Sequence, residues 1–180
     1  MKTGGGRRGS LPLRLLKGKI MKAFAIVSVL ILLLTLVGVG SMYLSATIYV
    51  EASGVTTMEA TARQEFFDSL AEQVRLDAVV GTTFGSASEL SGAEDYKFCI
   101  YTVHLKNNCR IPAEMVEMQI SPRGSDVVQI GEAPLVTVNP GETAEVKAVL
   151  LTSMDMDAMR EVTISYYMWG VPFTLKTMIQ

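Results

Sequence analysis

The chain has 180 residues, 49% of them hydrophobic, with 16 Lys and Arg, 18 Asp and Glu and a single His. Setting aside a basic tail and one long apolar run leaves about 130 residues, which is one ordinary domain able to bury a core without metal or disulfide staples. Lys2, Arg7, Arg8, Arg14, Lys17, Lys19 and Lys22 all precede residue 23, so residues 51–180 hold nine cations against all 18 acids, a net of about −9, which excludes a nucleic-acid phosphate backbone as the natural partner.

Residues 1–22 contain Gly4-Gly5-Gly6, Arg7-Arg8, Gly9 and Pro12 and read as a flexible basic tail. From Ala23 to Val50 the chain has no charged residue. At about 1.5 Å per residue, roughly 20 helical residues cross the hydrocarbon of a bilayer, so 23–44 is expected to be a transmembrane helix. Seven cations before it and acids only after it place the N-terminus in the cytoplasm and the C-terminal domain outside, under the positive-inside rule. The basic tail is also suited to anionic headgroups. The run exceeds a secretory h-region, and Gly38-Val39-Gly40 offers a weak small-x-small cleavage site, so a retained signal anchor is expected rather than a cleaved leader. No cysteine follows closely, which excludes a lipoprotein. Arg7-Arg8 lacks the surroundings of a twin-arginine signal. Lys17-Gly18 resembles a type IV prepilin processing site, although Lys19 and Lys22 interrupt what should follow and no glutamate stands near the new N-terminus. A pilin-like or archaeal-appendage, stator-like component is therefore the alternative reading. In the apolar run, Gly38 and Gly40 do not make a four-residue helix-dimer spacing.

Residues 45–94 read as a neck, an amphipathic helix and a loop. Glu51–Thr57 is neck-like. Phe66, Phe67, Leu70 and Val74 recur at helical spacing within 59–76, with Gln64, Glu65, Asp68, Glu72 and Arg75 on the other face. Val79–Phe84 is a candidate strand, and 85–94, rich in Ser, Gly and Ala, a loop.

From Asp95 the pattern has period two. Cys99, Tyr101, Val103 and Leu105 alternate with Phe98, Ile100, Thr102 and His104, as in a strand covered on both faces. Asn107-Asn108 turns it. Met115–Ile120, Val127–Ile130, Leu135–Val138, Thr143–Leu151, Glu161–Trp169 and Val171–Ile179 follow as strands. They are punctuated by Pro122-Arg123-Gly124, by Asn139-Pro140-Gly141, where Pro presets φ and Gly accepts a positive one, and by Gly170. Short strands with frequent turns predict a mainly β fold, an antiparallel immunoglobulin-like or fibronectin-like β-sandwich after one membrane helix. Its core is expected over 95–180, with starts near 55 or 79 as alternatives. If 96–106 is one extended strand, Cys109 lies beyond its end and outside the roughly 4.4–6.8 Å Cα separation a disulfide with Cys99 requires.

The second half resembles the water-stress and hypersensitive-response domain, the group-2 late-embryogenesis-abundant family. Tyr101, Val103 and Leu105 lead into Asn107, with Ile111 and Pro112 at the family spacing. Val136 and Val138 lead into Pro140, Gly141 and Thr143, with Val146 and Val149 after them. Val162–Tyr166 through Gly170 to Pro172-Phe173 is similar to the family's last hairpin. The likeness covers about 95–180, and Asn108 stands where the family has proline. It implies a sandwich, frequently tethered by one N-terminal helix, in a stress or stabilising role without catalysis. It offers no catalytic residues to carry over.

No residue pattern points to an active site, a cofactor or a metal. His104 is alone on a strand, without the clustered ligands a metal needs. No serine sits in a Gly-x-Ser-x-Gly elbow, and no phosphate loop or dinucleotide fingerprint occurs. Asp155 and Asp157 lack the remainder of a calcium loop. The eleven methionines are read as gap-fillers. The densest aromatic group, Tyr166, Tyr167, Trp169 and Phe173, is either core or a partner-binding patch, since Trp and Tyr serve as interface anchors. The expected partners are the lipid bilayer and envelope or membrane proteins, a second copy of the chain among them. A free strand edge could recruit a subunit by strand addition. The expected role is a membrane-anchored, extracytoplasmic, non-catalytic binding or scaffolding module.

Overall fold

A computed structural model describes residues 13–44, 47–85, 90–131 and 135–180. The chain forms two compact units, Met1–Ser45 and Ala46–Gln180. The first contains one helix, α1 (Leu13–Leu44). Its stretch Met21–Ser41 is long and apolar enough to be a membrane anchor or a signal sequence. Leu and Ile side chains cover every side of it, and Phe24, Ile31 and Leu34 are exposed, so this stretch has no polar face. Thr35 Oγ1 donates to the Ile31 carbonyl at 2.8 Å, which satisfies a hydroxyl inside the apolar run. The helix begins ten residues earlier than Ala23, because Leu13–Lys22 contains good helix formers interrupted only by Gly18. This part of the tail is helical, not flexible; residues 1–12 lie outside the described residues.

The second unit is an antiparallel β-sandwich. Its strands are β1 (Ile48–Glu59), β2 (Thr82–Thr83), β3 (Tyr96–Asn107), β4 (Ala113–Ile120), β5 (Asp126–Gly131), β6 (Val136–Val138), β7 (Thr143–Ser153), β8 (Arg160–Met168) and β9 (Val171–Ile179). One sheet runs β1-β3-β7-β5-β2 and the other β6-β4-β8-β9. The central pairings β3–β7 and β4–β8, with β1 and β5 flanking one pair and β9 the other, match the two-sheet layout of immunoglobulin-type sandwiches. The inward residues alternate as expected: Tyr101, Val103 and Leu105 of β3 and Ala148 and Leu150 of β7 face Met118 and Ile120 of β4 and Val162, Ile164 and Tyr166 of β8. Gln129 of β5 bridges the two sheets. Its Nε2 donates to the Met118 carbonyl at 2.7 Å and its Oε1 accepts from Ile120 N–H at 2.8 Å, so a buried amide completes the β4 backbone where a neighbouring strand would.

A second, smaller core lies on the outer face of the first sheet. Helix α2 (Gln64–Arg75) buries Phe67 and Leu70 against Phe98, Val128 and Leu151. Phe67 and Tyr96 rings lie 5.7 Å apart. Phe66, read as part of the apolar face, is half exposed, although its ring approaches Phe98 at 5.3 Å. β3 is thus covered on both faces only over its first residues; beyond them Ile100, Thr102 and His104 are half-buried.

The neck expected over 51–57 is instead part of β1, which pairs with β3 from Ile48↔Asn107 to Glu59↔Lys97, so the sandwich starts near residue 48. The reason it reads as a neck is a bulge between Val50 and Ala52. Ile48 and Val50 pair with inward Asn107 and Leu105; after the bulge Ser53, Val55 and Thr57 pair with inward Val103, Tyr101 and Cys99. One inserted residue moves the inward positions from even to odd numbers and erases the alternation. The candidate strand at 79–84 contracts to Thr82–Thr83, and the loop at 86–89 lies outside the described residues.

Candidate functional site

The residues singled out in the sequence converge on one end of the sandwich, where β1 begins and β3 and β8 finish. Asn107, the last residue of β3, organises it. Its side chain is fully buried. Nδ2 donates to the Ile111 carbonyl at 2.8 Å and to the Val138 carbonyl at 2.9 Å. Oδ1 accepts from Cys109 N–H at 2.9 Å, the i-to-i+2 bond that makes an asparagine start a turn. Both donors and the acceptor of the amide are used. Its backbone is engaged as well: Asn107 N–H donates to Glu142 O at 3.0 Å, and Gly141 N–H to Asn107 O at 2.7 Å.

Two loops are therefore clamped on one amide. In the first, Ile111 packs on the core and Pro112 delivers the chain into β4. In the second, Pro140 and Gly141 occupy the middle of a turn closed by Glu142 N–H to Asn139 O at 3.1 Å, with Gly141 at φ 77°. Proline followed by a left-handed glycine is the type II pattern. Cys109 carries the clamp across to β1. Thr47 N–H lies 3.1 Å from Cys109 Sγ, and the thiol lies 3.2 Å from the Thr47 carbonyl. Cys99 and Cys109 are not joined in a disulfide.

The aromatic group divides between interior and surface. Tyr166 points inward and stacks on Phe173, ring centroids 5.6 Å apart and 12° from parallel. Burial, partly offset by a hydrogen bond with the Ile48 backbone, holds its hydroxyl pKa above the usual phenol range. Tyr167 and Trp169 point out. Met168 pairs with Val171, so Trp169 and Gly170 alone make the β8–β9 turn, with φ 52° and 71°. Two positive φ values in a two-residue hairpin are the type I′ pattern, which prefers Asn-Gly. Tryptophan at the first position is strained, and that strain has no packing to offset it, because the ring is largely exposed. The alternation of β8 alone distinguishes Tyr166 from Tyr167; it could not place Trp169, which lies past the last strand residue.

Elsewhere the structure shows chemistry the sequence did not signal. Arg160, at the start of β8, is buried, and its Nη2 lies 3.1 Å from Asp126 Oδ1. Nη1 donates to the carbonyls of Asp157 and Met159, and Asp126 Oδ2 accepts from Arg123 N–H at 2.7 Å. These residues lie 34 positions apart, so no local pattern could announce the pair. Beside it, an open cleft of about 430 Å³ is lined by Phe84, Asp95, Tyr96, Ser125, Asp126 and Ser153. His104 lies 3.5 Å from Glu145, both half exposed, and a hydrogen bond from Lys147 holds the Glu145 carboxyl below its usual pKa. Asp155 and Asp157 belong to the loop that supplies Arg160 with a carbonyl. Among the described residues no three His, Cys, Asp or Glu side chains gather as metal ligands would.

No family model matches the chain, and no curated protein matches it. Among solved structures it is similar to a FixG-related protein from Vibrio parahaemolyticus, 13% identical over 72% of this chain and 96% of that one, with a TM-score of 0.32. It is also similar to the cupredoxin domain of amoB from Nitrosocaldus yellowstonii, 15% identical over 73% and 84% of the two chains, with a TM-score of 0.33.

Proposed function

We propose that this protein is a single-pass membrane protein whose β-sandwich lies outside the cytoplasm and acts as a non-catalytic binding or stabilising module for proteins of the cell envelope. The observation that carries the reading is the junction between the two units. The apolar run of α1, preceded by seven cations of which four belong to the first turns of the same helix, runs within a few residues into β1, which is an integral strand of the sandwich. A helix that is to be cut off as a leader gains nothing from being joined to a structural strand without a spacer. The charge asymmetry supports an exported domain. The likeness of the Asn107 and Pro140 loops to the water-stress domain supports a stabilising role. A lone, half-exposed histidine beside Glu145 supports a protein that binds rather than catalyses.

Topology and role are tested separately. An alkaline phosphatase reporter fused after Gln180 is expected to be active, and a green fluorescent reporter at the same position dark; the reverse result removes the exported sandwich. Cross-linking in native membranes is expected to attach residues 51–180 to other envelope proteins. Recovery of only the chain itself defeats the module reading, and a mature N-terminus at Lys19 moves it to a pilin-like component.

A further inference from the structure

We propose that the Trp169–Gly170 hairpin is a lipid-binding element, with Trp169, at the same end of the sandwich as Tyr167 and Tyr49, seated in the headgroup layer of a phospholipid bilayer. The proposal rests on the membrane-anchored reading above and adds to it a second, separate point of membrane contact.

Three observations carry it. The first is which side chains are exposed and where. Among the described residues of the sandwich, the large exposed Tyr and Trp side chains are Tyr49 (53%), Tyr167 (38%) and Trp169 (59%). All three lie at the end where β1 begins: Tyr49 pairs with Lys106, Tyr167 with Glu114, and Trp169 follows directly on β8. The remaining sandwich tyrosines, Tyr96, Tyr101 and Tyr166, are buried or half-buried. Tryptophan and tyrosine are the residues that collect at membrane interfaces, where a ring body meets acyl chains and a polar edge meets water.

The second observation is covalent. Only residues 45–47 stand between the last residue of α1 and the first of β1. Three residues extend at most about 11 Å. With α1 crossing a bilayer, so short a connection limits how far Ile48 can lie from the end of the helix.

The third is charge. The end in question carries Lys106 and Arg110 against Glu51, Glu114 and Glu142, a net of about −1. The acids of α2 (Glu65, Asp68 and Glu72) pack with the helix over Phe98, nine residues from Asn107 along β3, or about 30 Å at 3.3 Å per residue. That is several times the screening length of roughly 8–10 Å at physiological salt, so the acidic bulk of the domain does not repel an anionic surface at this end.

The strained turn fits the same account. Asparagine would relieve the φ of 52° at position 169, whereas an exposed tryptophan there costs stability and presents an indole at the hairpin tip.

Trp169 is the single tryptophan of the chain, so its emission reports this site without labelling. The full chain is reconstituted into phosphatidylcholine–phosphatidylglycerol vesicles, with and without lipids brominated near the carbonyl end of the acyl chains. The Trp169→Asn chain, with the turn in its preferred Asn-Gly form, supplies the background. The expected result is blue-shifted emission that brominated lipid quenches and aqueous iodide does not. Emission indifferent to brominated lipid, from a chain that stays in the vesicles through an alkaline carbonate wash, overturns the proposal and leaves the anchor standing. Release of the chain by the wash removes the anchor reading and this inference with it. Blue-shifted emission that brominated lipid leaves unquenched means that protein covers the indole, and also overturns it.

Discussion

Replacing Asn107 with alanine should unfasten the loop end of the sandwich. The substitution removes three hydrogen bonds, to Ile111 O, Val138 O and Cys109 N–H. A buried group left without a partner costs about 1–3 kcal/mol, whereas one that water can reach costs only the roughly 0.5–1.5 kcal/mol net value of its bond. Val138 is fully buried, so its carbonyl bears the larger cost; Ile111 and Cys109 are half-buried and can be rehydrated. Together the loss should be about 2–6 kcal/mol, or on the order of 10 °C or more in Tm for a domain of this size. The assay is thermal unfolding of the full chain in mild detergent, followed by near-ultraviolet circular dichroism, with Asn107→Asp as comparison. The aspartate substitution keeps an acceptor for Cys109 N–H but sets an anion against the two carbonyls, so at neutral pH it should be no more stable than the alanine substitution. A loss below about 0.5 kcal/mol for Asn107→Ala, the level of an ordinary surface substitution, refutes the idea that this amide clamps the loops.

Other outcomes follow from the remaining geometry. Asp126→Ala should destabilise by about 3–5 kcal/mol, because it leaves the buried Arg160 guanidinium without its carboxylate; urea unfolding checks it. Trp169→Asn should raise stability by up to about 1 kcal/mol by relieving the left-handed backbone, as a higher Tm would show. Burial raises the pKa of Cys99, Tyr101 and Tyr166 in the folded state. A raised folded pKa gives stability that is whole below the unfolded pKa and is lost as pH rises towards the folded one. Stability should therefore be level through neutral pH and fall from about pH 9, the ordinary thiol value, and a Cys99→Ala chain should lose the earliest part of that fall.

Seen from the residues, legibility follows locality. Period-two alternation identifies β3, β4, β7 and β8, because each packs one face on a core and the inward residue is apolar every second position. The Pro140-Gly141 turn and the break at Gly170 are legible because their backbone needs are local. β1 is not, since a single bulged residue reverses which positions face inward. The Arg160–Asp126 pair and the bridge from Gln129 to β4 are not, since each joins residues brought together only by sheet packing. Of the candidate site, Asn107, Ile111, Pro112, Pro140 and Gly141 are legible as turns, but not as one clamp.

The sequence by itself determined the apolar helix, its charge gradient and the sandwich class, all of which rest on composition and short-period patterning. The tertiary structure alone decided that the sandwich begins at Ile48, that Trp169 turns out at the tip of the last hairpin, and that two separate loops meet on the Asn107 amide. Those outcomes depend on register across strands, which a chain specifies only once its partners are in place.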